Sequence, residues 1–238
     1  VISCHLGGSG SICAILDGKS IDNSFGFSLQ AGIPHASRTG DADIYIISVS
    51  DKTISAVAEE LRDVSGLVVH TAGSVPMDVL PQTRRGVLYP LQTITKGRKL
   101  TPLRVPFYIE AKQEPDLDLL RSLAEAMGST AMRMDSNRRR YLHLAAVFCC
   151  NFVNRLYGIT AELLAEQDIP FNVMLPLIHE TADKMDELMP RDAQTGPAVR
   201  WDEEVMSQQM SLLDDERRQI YQLLSKSIRD DKLRLEKD

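Results

Sequence analysis

The sequence predicts an α/β domain built on a parallel sheet, followed by an all-α domain. Three observations carry this. Short runs of β-branched residues alternate with helical periodicity up to about Lys112, the periodicity beyond it is helical only, and the charge changes with it. The first 112 residues are close to neutral, whereas the rest carry the acidic excess that gives the chain its net charge of -6. The expected domains are residues 1–112 and 113–238.

Val1 to Leu6 has the composition of a strand and runs into Gly7-Gly8-Ser9-Gly10-Ser11-Ile12. Gly8-x-Gly10 at that place would let backbone N–H groups approach a pyrophosphate. The third glycine position is Cys13, however, and Asp17-Gly18 interrupts the helix that should follow. The stretch therefore reads either as a cofactor loop or as an ordinary glycine-rich connection. Ile44 to Val49 is a short apolar run, as expected of a strand buried on both faces. Thr53 to Leu61 places Ile54, Val57, Ala58 and Leu61 on one helical face, and Leu67-Val68-Val69 is a second buried strand. Two such units in series predict a right-handed crossover and parallel pairing. Gly86 to Tyr89 and Val105 to Ile109 are further strand candidates, the second weakened by Pro106.

Beyond Lys112, Glu114-Pro115-Asp116 starts a helix that carries Leu117, Leu120, Leu123, Ala124 and Met127 until Gly128. A long helix is expected from Ser136 to about Glu166, and a third from Phe171 to Leu188 with a kink at Pro176. From Asp202 onward the pattern is helical with no strand signal.

Composition removes several classes of function. Hydrophobic residues make up 43%, enough for a core, while aromatics at 5% with a single Trp201 do not suit a stacking platform for nucleic acid. The negative charge disfavours a general polyanion binder. No run of about 18 apolar residues is present, so no membrane-spanning helix is expected. Cys4, Cys13, Cys149 and Cys150 form no CxxC pair, no metal site is expected, and Cys149-Cys150 are expected to be buried in the apolar run Leu144 to Phe152. A reducing, cytoplasmic setting fits this cysteine usage. The chain opens on Val1-Ile2-Ser3 with no signal-peptide pattern, as if earlier residues were missing.

An α/β sheet binds ligands beyond the carboxyl ends of its strands. Those ends carry Ser48-Val49-Ser50-Asp51 and His70-Thr71-Ala72-Gly73-Ser74, small polar segments suited either to a ribose or nicotinamide or simply to capping the next turns. Several segments resemble a known family when taken in order. They are Asp43 to Asp51, Val69 to Ser74, Tyr89-Pro90-Leu91-Gln92-Thr93, Ile109-Glu110-Ala111, Leu142 to Phe148 with Asn151-Phe152, and Thr195 to Arg200. The family is assigned as NADP-binding oxidoreductases, in which a Rossmann-like domain precedes an all-helical domain of unknown function. It is related to pyrroline-5-carboxylate reductases and β-hydroxyacid dehydrogenases. The resemblance covers about residues 41–225, while the family's opening strand, glycine loop and first helix lack clear counterparts before Asp41.

The resemblance implies an NADP or NAD cofactor, a small-molecule substrate held between the domains, and a homodimer built through the helical part. Gly8, Gly10, Ser48, Val49, Ser50, His70, Thr71 and Ala72 are then the candidate cofactor contacts. Arg139, His143, Val147 and Asn151 recur every fourth residue along one helical stripe. His143 would donate or accept the proton, and Asn151 would hold the substrate oxygen. The two lie about 12 Å apart along a regular axis. Gln92 and Arg200 are candidate substrate contacts, the latter as a carboxylate clamp. Each has a plainer alternative: a core His, a strand-end cap, a helix start. The expected function is an NAD(P)-dependent oxidoreductase; a non-catalytic dinucleotide-binding or regulatory protein is the alternative.

Overall fold

The β-branched runs of the first half all become neighbouring strands of one sheet. This computed structural model of the chain describes residues 2–6, 10–16, 19–23, 44–95, 98 and 105–235. Its strands are β1 (Ile2–Leu6), β2 (Gly10–Leu16), β3 (Lys19–Asn23), β4 (Ile44–Ile47), β5 (Leu67–His70), β6 (Arg85–Pro90), β7 (Phe107–Ala111) and β8 (Ala131–Arg133). Their order in the sheet is β3-β2-β1-β4-β5-β6-β7-β8. The central strands β4, β5 and β6 run parallel, so their carboxyl ends share one edge. β7 is antiparallel to β6, and β8 is parallel to β7.

Side-chain alternation explains why β5 is buried in all four residues. Leu67 and Val69 join Ile44, Leu88 and Ile109 against Leu117, Leu120 and Leu123 of α2 (Glu114–Ala126). Val68 faces the other way, with Ile47 and Leu80, against Ile54 and Ala58 of α1 (Ile54–Glu60). The apolar runs are thus sandwiched between helices, as a parallel sheet requires. Just past the end of α2, Gly128 has a φ of 73°, the left-handed conformation that a helix stop favours.

β8 was not foreseen, because three residues at a sheet edge carry too little pattern to read. The larger difference lies at the start of the chain. Gly10 opens a strand, β2, that pairs antiparallel with β1, with Leu6 opposite Gly10. A cofactor loop at Gly8-x-Gly10 needs a helix after it, whose free N–H groups would face the phosphate; a hairpin strand offers none. Gly8 itself lies outside the described residues.

The chain divides into two compact units, Val1–Phe152 and Val153–Asp238. The change in pattern at Lys112 does not mark this division, because α2 and β8 pack with the sheet. The first unit ends with α3 (Ser136–Ala146), capped by the Asp135 carboxylate accepting from Arg138 N–H at 2.9 Å, and a π-helical turn over Val147–Phe152. The second unit comprises α4 (Val153–Ala165), α5 (Leu175–Asp183), α6 (Pro197–Arg200), α7 (Glu203–Ser211) and α8 (Asp215–Leu235). Arg217 of α8 reaches Glu162 and Glu166, tying α8 to α4 and its C-terminal end. Pro176 sits in the first turn of α5, so the expected kink is instead a helix start after a 3-10 turn at Phe171–Met174.

Two expectations are corrected here. Cys149 and Cys150 are exposed, because the helical run through Phe152 turns its apolar side outward. Ser136–Ala165 is also an unbroken helical run of 30 residues that is long and apolar enough to cross a membrane by length and composition. The search for a continuous apolar run missed it because polar residues are interspersed along it.

Candidate functional site at the carboxyl edge of the sheet

Where β4 and β5 end, the chain has small side chains that leave the strand tips open. Ser48 and Ser50 are exposed and Val49, Thr71 and Ala72 half-buried. Thr71 N–H extends the parallel ladder by donating to Ile47 O at 3.2 Å, and its hydroxyl lies 3.4 Å from Ser48 Oγ. Ser50 Oγ meets Thr53 Oγ1 at 3.0 Å across the turn before α1, and Ser74 Oγ donates to Asp51. The two strand-end loops are therefore joined side by side.

His70 is the pin beneath them. Its ring is fully buried, and Nδ1 accepts from Ala72 N–H at 3.2 Å. That leaves the proton on Nε2, which faces Pro76 O at 3.4 Å. Burial, helped by the nearby Arg139 charge, lowers its pKa to about 4, so it stays neutral at physiological pH. Both ring nitrogens are engaged by backbone, so His70 shapes the loop that carries Thr71 and Ala72.

His143 on α3 closes against this loop. A Cβ placed on Gly73 would lie 2.6 Å from His143 Nδ1 and 2.7 Å from Cγ, so the ring rests where any other residue's side chain would be. Nδ1 lies 3.1 Å from the hydroxyl of Tyr89 near the end of β6, with the rings edge to face at 5.9 Å. The loop after β5, the end of β6 and one helix thus converge on a single imidazole.

One turn earlier, Arg139 is fully buried, contrary to the exposed arginine turn that Arg138-Arg139-Arg140 suggests. Its guanidinium donates to Glu110 Oε2 at 2.5 Å and Val75 O at 2.6 Å. Ser136 Oγ donates to the same carboxylate at 2.7 Å and accepts from Met77 N–H at 2.9 Å. Arg139 Nε is buried without a partner. This network fastens α3 to β7 and to the loop after β5, which fixes the height of His143 over Gly73.

A cavity of about 550 Å³ opens beside this group, lined among others by Tyr89, Gln92, Thr93, His143, Cys150 and Asn151. Gln92 and Asn151 line the same cavity as His143, although Gln92 Oε1 already accepts from Thr93 N–H at 2.8 Å. Arg200 is exposed at the end of α6 in the second unit. Sequence reasoning gave no role to Tyr89 or Glu110 and took Gly73 only as part of a small polar strand end, not as the seat of His143. The signals were present: an aromatic residue with a polar tip near a strand end, a glycine after His70, and an acid that could partner Arg139.

The small residues at the tips of β4 and β5 suit the nicotinamide and ribose end of a dinucleotide. Among the described residues no glycine-rich turn leads from a strand into a helix at this edge, so the pyrophosphate end has no such counterpart there.

Comparisons with known proteins divide along the chain. Residues 1–81, which include Gly8 and Gly10, match the acetokinase family. An acetate kinase from Phytoplasma australiense is 35% identical over 91 residues, covering 36% of this chain and 23% of the kinase. The chain thus spans about a quarter of that relative's length. The crystal structure of a Bacteroides fragilis protein, described provisionally as an NADP oxidoreductase, is 43% identical with a TM-score of 0.72, over 79% of this chain and 75% of that one. A protein from Thermotoga maritima shares the fold at 20% identity and a TM-score of 0.63, over 80% of this chain and 78% of that one. These likenesses agree with the Rossmann-like domain and helical region described above. With its model matching residues 105–228, just over half of the sequence, the chain belongs to the family described as domain of unknown function DUF2520.

Proposed function

We propose that the protein is an NAD(P)-dependent oxidoreductase acting on a small carbonyl, imine or hydroxy compound. The observation that carries this reading is the His143 imidazole, seated on Gly73 and bonded to Tyr89 beside the open tips of β4 and β5. The description of the Bacteroides fragilis relative as an NADP oxidoreductase supports it. A bound nicotinamide supplies or accepts the hydride. Ser48, Val49, Ser50, Thr71 and Ala72 line its approach, while His70 keeps the Thr71-Ala72 loop in shape. His143 exchanges the proton with the substrate oxygen or nitrogen. Asn151 and Gln92 hold the substrate within the cavity. Arg200 is kept as a carboxylate contact.

The protein works as a homodimer in the cytoplasm. Leu144, Phe148 and Phe152, 51%, 61% and 51% exposed, form an apolar face that a second copy would cover. NADPH oxidation across a panel of keto acids, aldehydes, imines and hydroxy acids tests the reading. His143→Ala is expected to abolish turnover and leave cofactor affinity within about twofold; loss of neither, or of both, contradicts it. A non-catalytic dinucleotide-binding or regulatory protein is the second reading. It is favoured by the missing glycine turn among the described residues and by the lack of a Lys on the stripe Arg139, His143, Val147 and Asn151.

A further inference from the structure

The Tyr89–His143 contact has a chemical consequence that depends on which atom carries the proton. Tyr89 is nearly buried, at 7% exposure, and its hydroxyl faces Nδ1 at 3.1 Å. Burial pushes its phenol above the ordinary range, with Cys150 and Tyr108 adding to the rise and the Arg139 charge opposing it. A phenol that keeps its proton at neutral pH is able to donate it to Nδ1, and in that arrangement a neutral imidazole carries its own proton on Nε2. Packing over Gly73 fixes the placement of the ring, since Nδ1, Cγ and Cβ lie where a side chain on that residue would be. Among the described residues no partner occupies Nε2, and His143 lines the cavity.

We propose that Tyr89 is a positioning residue that holds His143 as the Nε2–H donor and passes it a replacement proton during turnover. The inference rests on the oxidoreductase reading. In the reducing direction, a substrate oxygen that has gained an electron pair takes the Nε2 proton. The Tyr89 hydroxyl proton moves to Nδ1 at the same time. Neutral imidazole is a poor acid by itself, and this transfer spares it from becoming an anion. The negative charge passes from the substrate alkoxide, a stronger base than a phenolate, to Tyr89, where burial opposes it and the Arg139 charge offsets part of that cost. A proton taken up from solvent restores the phenol, so each reduction consumes one proton from bulk. The oxidising direction is the same sequence reversed, so protons and charge balance either way.

Ring-nitrogen NMR of the full chain labelled with ¹⁵N-histidine tests this, with the His143 signal assigned by its loss in His143→Gln. The wild type is expected to show the Nε2–H tautomer. Tyr89→Phe removes only the hydroxyl and is expected to shift His143 toward a mixture of tautomers, with NADPH affinity unchanged within about twofold. Gly73→Ala, which displaces the ring, is expected to give the same mixture by a second route. An Nδ1–H tautomer in the wild type, or an unchanged Nε2–H tautomer in both variants, overturns the proposal. A wild type that binds neither NADPH nor NADH overturns the oxidoreductase reading instead, and the tautomer result separates the two failures. Where a substrate is found, Tyr89→Phe is expected to lower kcat at least about tenfold with KM little changed.

Discussion

Single residues at this edge are constrained from several sides at once. His70 has a folded-state pKa of about 4 against an ordinary value of 6.5. The unfolded chain therefore binds the extra proton between those values, and stability falls as pH drops from about 6.5 to 4, by roughly 3 kcal/mol from this group. Above pH 6.5 the contribution is complete. Urea unfolding at pH 7 and pH 4.5 is expected to show this loss in the wild type and a shallower one in His70→Gln. Gly73 gives the second residue-scale prediction. Gly73→Ala places a methyl 2.6 Å from His143 Nδ1, and relieving that clash is expected to cost about 1–3 kcal/mol and most of any turnover. A thermal melt alongside an activity assay checks both. His143 was legible in the sequence as a polar residue on an otherwise apolar stretch. Tyr89 was legible as an aromatic residue near a strand end, but not as the partner of His143, because pairing across 54 positions leaves no local pattern.

At the scale of elements, the site depends on how firmly α3 is held to the sheet. The buried Arg139–Glu110 pair is the fastening, with Arg139 at 0% and Glu110 at 17% side-chain exposure. Removing one partner strands the other charge, so Arg139→Leu or Glu110→Gln is expected to cost about 3–5 kcal/mol, and the double variant distinctly less than the sum. Denaturant titration of the four proteins measures this coupling. The elements themselves were largely readable. β4, β5 and β6 and helices α1 and α2 follow from β-branched runs and apolar periodicity, because the core imposes those patterns. The first hairpin was left open between a cofactor loop and an ordinary connection, because a glycine pair after a strand looks the same whether a helix or a returning strand follows. The π-helical turn at Val147–Phe152 was equally invisible, since one extra residue per turn changes no composition.

For the molecule as a whole, two family likenesses meet in one chain: the match to the acetokinase family ends at residue 81, and the match that contains His143 begins at residue 105. The exposed face with Leu144, Phe148 and Phe152 predicts self-association. Sedimentation at micromolar concentration is expected to give a dimer without detergent, and Leu144→Glu with Phe148→Glu a monomer; a protein that sediments only with lipid or detergent would assign the same face to a membrane. The fold class was legible because it is written in periodicity over many residues. Dimerisation was expected from family resemblance alone, and the geometry now gives it a specific face to test.

The central claim is that the open tips of β4 and β5 seat a pyridine dinucleotide next to His143. Fluorescence titration of NADPH and NADH against the wild type and Ser48→Trp tests it most directly. The expected result is micromolar binding of at least one cofactor by the wild type, weakened at least about tenfold when the indole fills the strand tip. Binding of neither cofactor, or equal binding by Ser48→Trp, would contradict the account.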